Sequence, residues 1–552
     1  MKPKAAFALA LALSYTMNPG SAWAQAPSTV DPASVDAIFQ AFDGTRTPGC
    51  AVGVSSGGVP VLLQAYGMAD LEHDVPNTAE TIFEPGSVSK QFTAAATVLL
   101  ALDGKLSLDD DVRDYIPELP DYEEVVTIRH LLNHTSGLRD WGSVAGIEGW
   151  PRTRRAHTHM HVLDIASRQL SLNYPPGEYY SYTNTGYNLQ AILVERVSGM
   201  PFAEFSRRRI FEPLGLTHTE WRDDFTRVVK DRAIAYGANR DGSWSMLMPF
   251  EDVHGNGGLL TTVEDLLRFT QNLVTGELGG PRFIEEMHKQ GVLNSGQTIA
   301  YASGLQLRDY KGVPKVEHSG STAGYRGHLA RFPDQGIAVS VMCNATTGNA
   351  GQLLNEVADL YLGDAVSEGA SEAQAPAVEV QRERLESLAG GYRDMRREAF
   401  VRITATERGL RMGGTNLLPV TANRFEAGAT VLEFEAAPVS GGRPEAVMNT
   451  AGAENVRLEP VPAFDPAEAQ LREYTGTYRS DEAEATYTVE IENGTFVLKD
   501  RWGQGRLLQP LYPDAFGGGG TTYIFRRNGS GEVVGMSLSE ERVWELSFRR
   551  VG

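Results

Sequence analysis

One hexapeptide carries most of the information about the fold: Pro85-Gly86-Ser87-Val88-Ser89-Lys90. Gly86 marks a turn, and the Ala/Leu-rich run 89–102, free of Gly and Pro, predicts a buried helix ending at Gly104. Ser87 then stands at a helix N-terminus, where free backbone N–H groups stabilise developing negative charge. Lys90 follows one turn later on the same face, so its amine can reach the Ser87 hydroxyl. If burial lowers the pKa of this lysine, it can take the serine proton.

The Ser-x-x-Lys pattern by itself is short, and it occurs about once by chance in a chain of this length. A capped, solvent-facing helix start explains the isolated pattern as well as a catalytic pair does. Whether the pattern indicates a catalytic pair therefore depends on the other motifs in the chain.

A second segment, Tyr179-Tyr180-Ser181-Tyr182-Thr183-Asn184, lies about 95 residues further along and is followed by a helical pattern from about Asn188. Tyr182 can act as a second proton carrier if neighbouring cations stabilise its phenolate. Asn184 can hydrogen-bond the amide of a substrate. Ordinary core and surface aromatics are the alternative explanation of so many tyrosines.

A third segment, Glu317-His318-Ser319-Gly320-Ser321, precedes a hairpin predicted from strands 327–332 and 336–343. The edge of this strand can line a cleft and bind a substrate backbone. The N–H groups of Ser321 and Ser87 would together form an oxyanion hole. His318 can stabilise an anionic Tyr182 or a substrate carboxylate, and a purely structural histidine is the alternative.

In this order and spacing the three segments resemble the serine β-lactamase and penicillin-binding protein superfamily. The pattern is most similar to the branch with tyrosine in the second motif, which includes D-aminopeptidases, D,D-peptidases and class C β-lactamases. Two further family-like segments, 131–138 and 257–262, extend the resemblance over residues 35 to 362. It implies an α/β domain in which helices flank an antiparallel sheet, with no metal and no cofactor. It also implies these roles: Ser87, Lys90 and Tyr182 as catalytic residues, and Asn184, His318, Gly320 and Ser321 as substrate-binding residues.

The C-terminal part of the chain has a different composition from residue 366 onward. Residues 366–382 are rich in Ala, Glu, Ser and Pro and predict a linker. Short alternating runs broken by Gly and Asn follow, and the segment 385–393 recurs as 471–479. A period of about 86 residues suits a small antiparallel barrel, so two all-β, lipocalin-like barrel domains are predicted at 383–464 and 465–552. The β-lactamase-like domain occupies residues 25–365.

This domain plan resembles that of the D-aminopeptidases. In those enzymes a long loop of the last barrel enters the active site, where an acidic residue meets the substrate amine. Here the corresponding stretch is shortened to 514–520, which predicts a Gly-rich turn, with Asp514 as the alternative acidic residue. The shortening leaves the serine chemistry intact but puts the aminopeptidase specificity in question.

The N-terminus predicts export to the periplasm or the medium. Lys2 and Lys4 precede a short apolar run, and Ala22-Trp23-Ala24 provides a signal-peptidase site, so residues 1–24 form a predicted signal peptide. No later stretch predicts a transmembrane segment. The only two cysteines, Cys50 and Cys343, either form a disulfide across neighbouring strands or remain two buried thiols.

Charge and histidine content exclude other classes of function. The chain has 70 acidic and 50 basic residues, a net charge of −20, which disfavours nucleic-acid binding. His157-x-His159-x-His161 lacks the further ligands of a zinc site, so a polar lid segment is the preferred interpretation. The neighbouring arginines 152, 154 and 155 either meet a substrate carboxylate or, as we expect, form a solvated basic face.

The sequence therefore predicts an exported serine hydrolase that forms an acyl-enzyme on Ser87. The expected substrates are small amides, peptides or esters, with D-amino-acid peptides favoured. A carboxylesterase or β-lactamase on the same scaffold is the first alternative, and a non-catalytic ligand-binding protein is the second. The oligomeric state is left open by the sequence.

Overall fold

The structure, a computed structural model, describes residues 30–366, 378–428, 430–436, 442–450 and 455–551. The predicted signal peptide, 1–24, and residues 367–377 of the predicted linker lie outside these ranges. Between residues 30 and 551, none of the helices described has the length and apolarity that crossing a bilayer requires.

The N-terminal domain mixes strands and helices. Its strands are β1 (Cys50–Ser56), β2 (Val59–Tyr66), β3 (Met68–Asp70), β4 (Val75–Pro76), β5 (Glu220–Trp221), β6 (Tyr236–Ala238), β7 (Trp244–Met246), β8 (Leu259–Leu260), β9 (Gln306–Tyr310), β10 (Val313–Thr322), β11 (Tyr325–Phe332) and β12 (Ile337–Cys343). Its α-helices are α1 (Pro32–Phe39), α2 (Lys90–Leu102), α3 (Ile128–Asn133), α4 (Trp141–Glu148), α5 (His159–Arg168), α6 (Thr185–Ser198), α7 (Phe202–Ser206), α8 (Val263–Thr275), α9 (Gly280–His288) and α10 (Ala350–Leu362). Short 3₁₀ turns at Gln40–Phe42, Gly86–Ser89, Val112–Asp114 and Gly363–Ala365 and a π-helical turn at Arg207–Phe211 complete it.

An antiparallel sheet forms the centre of this domain, with the strand order β2-β1-β12-β11-β10-β9. The hairpin expected from the sequence is present as β11–β12. Strands β1 and β2 form a second hairpin. The register between β1 and β12 places Cys50 directly opposite Cys343, and the two are joined in a disulfide. The choice between a disulfide and two thiols, left open by the sequence, is thus resolved in favour of the bond.

Helix α2 forms the centre of the helical layer against this sheet. Its Ala94, Ala95 and Ala96 are fully buried, and these small side chains allow close approach of the neighbouring helices. Phe92 stacks on Phe269 of α8 with ring centroids 3.8 Å apart. This packing fixes the N-terminal end of α2, where Lys90 lies directly after the turn that contains Ser87.

The C-terminal part is all-β, as predicted. A short helix, α11 (Arg382–Leu388), leads into an eight-stranded closed barrel in the described residues: β13 (Gly390–Asp394), β14 (Ala399–Ala405), β15 (Leu410–Met412), β16 (Thr415–Pro419), β17 (Arg424–Ala427), β18 (Thr430–Phe434), β19 (Ala446–Thr450) and β20 (Val456–Pro460). This is the first barrel.

The second barrel follows helix α12 (Glu468–Leu471) and a 3₁₀ turn at Arg472–Tyr474. Its described strands are β21 (Gly476–Ser480), β22 (Ala485–Glu492), β23 (Thr495–Lys499), β24 (Gly505–Leu507), β25 (Gln509–Tyr512), β26 (Ala515–Gly518), β27 (Thr521–Arg527), β28 (Val533–Ser539) and β29 (Leu546–Arg550). The sheet runs β24-β23-β22-β21-β29-β28-β27-β26-β25, so its two end strands are consecutive in the chain and the barrel is nearly closed. The predicted fold class is confirmed.

The stretch 514–520 differs from the single Gly-rich turn that the sequence predicted. It contains strand β26 between two tight turns, at Asp514 and at Gly519-Gly520. The Asp514 carboxylate accepts hydrogen bonds from Arg527 at 2.8 Å and from Tyr474 at 2.9 Å. Asp514 is therefore engaged inside the second barrel, and it is not among the residues that line the cavity at Ser87.

Candidate active site

Ser87 lies in the 3₁₀ turn that leads into α2, and strand β10 packs directly on this turn. Gly86 has a φ of 56°, and a Cβ there would lie 2.4 Å from the Ser321 nitrogen. A Cβ on Gly320 would lie 1.9 Å from the Pro85 oxygen and 2.5 Å from the Ser87 nitrogen. Both positions therefore require glycine, and the close approach brings the backbone nitrogens of Ser87 and Ser321 to the same cavity wall.

Lys90 is completely buried at the base of the cavity. Its Nζ lies 3.1 Å from the Ser87 Oγ, 2.9 Å from the Asn184 Oδ1 and 2.7 Å from the Asn256 carbonyl oxygen. Burial lowers the pKa of Lys90 well below its ordinary value, and Arg542 and Arg152 lower it further, against the opposing charge of Asp140. A neutral amine can accept a proton.

Tyr182 borders the same space, with its ring centroid 4.9 Å from the Lys90 Nζ. Its hydroxyl is buried and has no hydrogen-bond partner within the described residues. Burial raises the pKa of Tyr182, whereas the nearby Ser87 hydroxyl and the charge of Arg542 lower it. The phenol is therefore protonated at rest, close to the serine and free to bond with a substrate.

Asn184 is fixed from two sides. Its backbone N–H donates to the Asp140 carboxylate at 2.7 Å, and its side-chain oxygen accepts from Lys90. Asp140 also caps α4 by accepting from the Ser143 N–H. The side-chain NH₂ of Asn184 is the group left to contact a substrate.

His318 is neutral and has both ring nitrogens engaged. Its Nε2 lies 2.9 Å from the Tyr301 hydroxyl and its Nδ1 lies 2.6 Å from the Ser319 carbonyl oxygen. Burial lowers the pKa of His318 to about 3. His318 thus brings no positive charge to Tyr182 or to a carboxylate, which differs from the role expected from the sequence.

These residues surround one cavity of about 420 Å³. The structure brings together all the site residues that the sequence predicted: Ser87, Tyr182, Asn184, His318, Gly320 and Ser321 line the cavity, and Lys90 contacts Ser87 from beneath. A serine beside a buried lysine of lowered pKa, a phenol and two backbone nitrogens on the same cavity wall can carry out acyl transfer.

Four further residues complete the site, and sequence reasoning missed most of them. Asn256 holds the Lys90 amine, and Asp140 holds Asn184. Arg152 lines the cavity while bonded to Glu251, so the expectation of a solvated basic face is wrong for this arginine. Arg542 belongs to the second barrel and carries no motif that links it to the site.

The described residues offer little for a metal ion. Asp70, Glu72 and His73 are the one group there with ligand spacing, and none of them lines the cavity. The imidazoles of His157, His159 and His161 have separate partners, namely the Trp150 carbonyl, the His254 carbonyl and the Thr158–Arg155 pair.

Comparisons with known proteins agree with this arrangement. Residues 35–363 match the family model described as Beta-lactamase. A D-aminopeptidase of Gluconobacter oxydans is 27% identical over 551 residues, covering 94% of this chain and 98% of its own length. Penicillin-binding protein 4* of Bacillus subtilis is 31% identical over 293 residues, and the match spans 64% of that relative and 51% of this chain.

Solved structures show the same fold. The D-amino acid amidase from Ochrobactrum anthropi SV3, in complex with L-phenylalanine, aligns with a TM-score of 0.53 at 22% identity, covering 61% of this chain and all of that one. The octameric penicillin-binding protein homologue from Pyrococcus abyssi aligns over 94% of this chain and 97% of its own, with a TM-score of 0.53 at 20% identity. With its family match over residues 35–363 and its full-length relatives, this chain belongs to the β-lactamase family and is a serine hydrolase of that family.

Proposed function

We propose that the protein is an exported enzyme that hydrolyses small amides or peptides containing a D-amino acid through an acyl-Ser87 intermediate. The single observation that carries this proposal is the 3.1 Å contact between the Ser87 Oγ and the Nζ of a buried lysine. Full-length similarity to D-aminopeptidases supports the D-amino-acid substrate. The predicted signal peptide supports export.

The hydrogen bonds of Lys90 support its role as the base. A neutral amine has two N–H donors and one lone pair. Two of its three contacts, the Asn184 Oδ1 and the Asn256 carbonyl, are acceptors, so they take both N–H groups. The lone pair is left for the Ser87 hydroxyl, which donates to it. Lys90 is thus arranged to accept the proton at the moment when the oxygen attacks.

The proposed reaction then proceeds in two stages. The Ser87 oxygen bonds to the substrate carbonyl carbon while its proton passes to Lys90, and the backbone N–H groups of Ser87 and Ser321 stabilise the oxyanion. The bond to the leaving group breaks as the Tyr182 phenol gives it a proton, and a proton returns from Lys90 to Tyr182. Water next attacks the ester carbonyl, one of its protons replaces that of Ser87, and the acid is released.

The test is a comparison of wild type with Ser87→Ala. Wild type should react with a fluorophosphonate probe and hydrolyse members of a panel of D-alanyl peptides, p-nitrophenyl esters and nitrocefin. Ser87→Ala should lose both labelling and turnover, because the probe and the substrate need the same oxygen. Full retention of either activity by the variant contradicts the proposal.

Ser319→Ala is the matched control. Ser319 lines the same cavity, but its hydroxyl bonds to no side chain in the described part of the chain. This variant should label like wild type, since no amine or imidazole contacts the Ser319 hydroxyl in the described residues. Loss of labelling in both variants would indicate damage to the cavity rather than loss of a nucleophile.

A further inference from the structure

The loop between β28 and β29, residues 540–545, is the part of the second barrel that reaches the catalytic cavity. Its Arg542 is in the cavity wall together with Ser87 and Tyr182. Two hydrogen bonds to the Arg542 carbonyl hold the loop there, from the Asp140 N–H at 3.3 Å and from the Asn173 side chain at 3.2 Å. The position of residue 542 is therefore fixed by the catalytic domain.

Trp544 anchors the same loop from its other end. Its backbone N–H donates to the Asn173 Oδ1 at 2.8 Å, and its ring packs on Tyr174 with centroids 4.9 Å apart. The guanidinium of Arg396, from the first barrel, lies 5.1 Å from the indole centroid on another side. An anchored loop presents its side chains to a ligand with little loss of conformational entropy.

The guanidinium of Arg542 has almost no partner inside the protein. It lies 5.1 Å from the centroid of the Tyr182 ring, and it donates no hydrogen bond to any described residue. Its one ion partner in the described chain is Glu541, at 3.8 Å and largely exposed. Arg152, in contrast, donates its guanidinium hydrogen bonds to Glu251. Of the two cavity arginines, Arg542 is the one whose guanidinium hydrogen-bonds to no carboxylate of the described chain.

The charge of the cavity favours an anion. Arg542 and Arg152 line it, and among its described lining residues there is no Asp or Glu. An arginine fork matches a carboxylate in shape, and such charge-assisted hydrogen bonds are strong where water is limited. A substrate with a positively charged amine at this place would meet repulsion instead.

We infer that Arg542 is a specificity-determining residue, which binds a carboxylate on the leaving-group side of the scissile bond. The side follows from Tyr182, because Arg542 lies over the ring of the phenol that protonates the leaving group. The inference rests on the function proposed above, and it names the substrate class: peptides that release a C-terminal amino acid with a free carboxylate. Substrates defined by a free amine should be poor.

The experiment uses the full-length protein and two substrates that differ only in charge, acetyl-D-alanyl-D-alanine and its C-terminal carboxamide. A third substrate, D-alanine p-nitroanilide, carries the free amine. Wild type should prefer the carboxylate over the carboxamide in kcat/KM by about 30-fold or more, as a charge-assisted hydrogen bond implies. Arg542→Gln should lose most of that preference, because kcat/KM for the carboxylate substrate should fall much more than kcat/KM for the carboxamide.

Arg542→Lys should recover part of the preference, because it restores the charge without the fork. Arg549→Gln, an exposed arginine on β29 outside the catalytic cavity, should leave both rates unchanged. An equal loss on both peptides in Arg542→Gln overturns the inference, because it indicates an effect through Tyr182 or on folding. If the wild-type enzyme prefers the carboxamide or the anilide to the carboxylate substrate, that result alone overturns the inference.

Fluorophosphonate labelling separates this inference from the proposed function. If wild type labels at Ser87 and cleaves the charged and uncharged peptides equally, the acyl-enzyme proposal survives and the role of Arg542 is wrong. If wild type neither labels nor hydrolyses any of the three substrates, the proposed function itself fails.

Discussion

The two barrels start from the same sequence pattern and end in different relations to the active site. Gly390 and Gly476 open equivalent strands, with φ of 152° and 146°. The Tyr392 hydroxyl donates to the carbonyl four residues earlier at 2.8 Å, and the Tyr478 hydroxyl does the same at 2.7 Å. The repeat thus specifies one local structure twice.

The cores of the two barrels differ in what they include. The core of the first barrel consists of its own residues and the preceding helix α11. The core of the second barrel continues into the catalytic domain, where Trp141, Val144 and Ile147 of α4 and Val162 and Ile165 of α5 belong to it. The Tyr487 hydroxyl adds a hydrogen bond to the Ile147 carbonyl at 2.9 Å.

This contrast shows that the barrel fold does not by itself determine whether a barrel takes part in the active site. The second barrel takes part in the active site because one face packs on α4 and α5, and its loop 540–545 thereby places Arg542 in the wall of the cavity that Ser87 lines. The first barrel packs on the second through Phe400 and Val461, away from the cavity residues, and its Arg396 lies 5.1 Å from the indole centroid of Trp544.

The largest expected effects come from one aromatic residue in each barrel. Phe425→Ala, in the core of the first barrel, should lower the free energy of unfolding by about 3–5 kcal/mol, because it opens a buried cavity. Its kcat/KM, measured well below the unfolding transition, should equal that of wild type. Trp544→Ala should instead lower kcat/KM for the carboxylate substrate by about tenfold, since the loop bearing Arg542 loses its anchor.

Denaturant unfolding and steady-state kinetics on the same preparations measure both quantities. If Phe425→Ala reduced kcat/KM as much as Trp544→Ala does, the first barrel would have to be regarded as part of the active site.

An intermediate effect is expected from acid, and the part of it that histidines contribute should be confined to the catalytic domain. All eleven histidines of the chain lie between residues 73 and 328. His318 has a pKa of about 3 when folded and 6.5 as a reference. Between these values the unfolded chain binds the proton and the folded chain does not, so stability falls as the pH drops from 6.5 towards 3. His318→Gln should therefore flatten the fall in melting temperature between pH 7 and pH 4.

His73 provides the control for this titration. It is exposed, and a hydrogen bond to Asp70 raises its pKa, so its contribution is present at low pH and lost as the pH rises. His73→Gln should not flatten the acid slope. A slope that is identical in wild type and His318→Gln would show that His318 is not held neutral.

The smallest effects should come from the repeated tyrosines. Tyr392→Phe and Tyr478→Phe each remove one buried hydrogen bond and leave the Leu388 or the Tyr474 carbonyl without that donor. Each variant should lose about 1 kcal/mol of stability, equally in both barrels, with kcat/KM unchanged. Chemical denaturation followed by circular dichroism measures this loss. A difference above about 1 kcal/mol between the two would mean that the repeat is not energetically equivalent.

Much of the site could be predicted from the sequence because its chemistry is local or follows a family pattern. Ser87 and Lys90 are one helical turn apart, so their contact depends on a single helix start. Tyr182, Asn184 and the 318–321 segment were found from their order and spacing along the chain, which the resemblance made specific. Asn256 lies beside the family-like segment 257–262, and that proximity was the one signal available for it.

Arg542 is about 455 residues from Ser87 in the chain and follows no recognised pattern. The stretch 514–520 of the second barrel, where the sequence offered Asp514 only as an alternative acidic residue, pairs within its own barrel, and Arg527 and Tyr474 bond to the Asp514 carboxylate. The protonation of His318 was likewise invisible, since it depends on complete burial beside Lys90 and Tyr301.

The sequence by itself determined the family, the pairing of Ser87 with Lys90, and the all-β character of the repeated C-terminal half. These features arise from helix turns, strand alternation and short motifs, which act over a few residues. Only the tertiary structure decided which face of the second barrel packs on α4 and α5 and which of its loops lines the cavity. Those choices arise from the burial of apolar surface between distant segments, and such burial leaves no periodic or local signal along the chain.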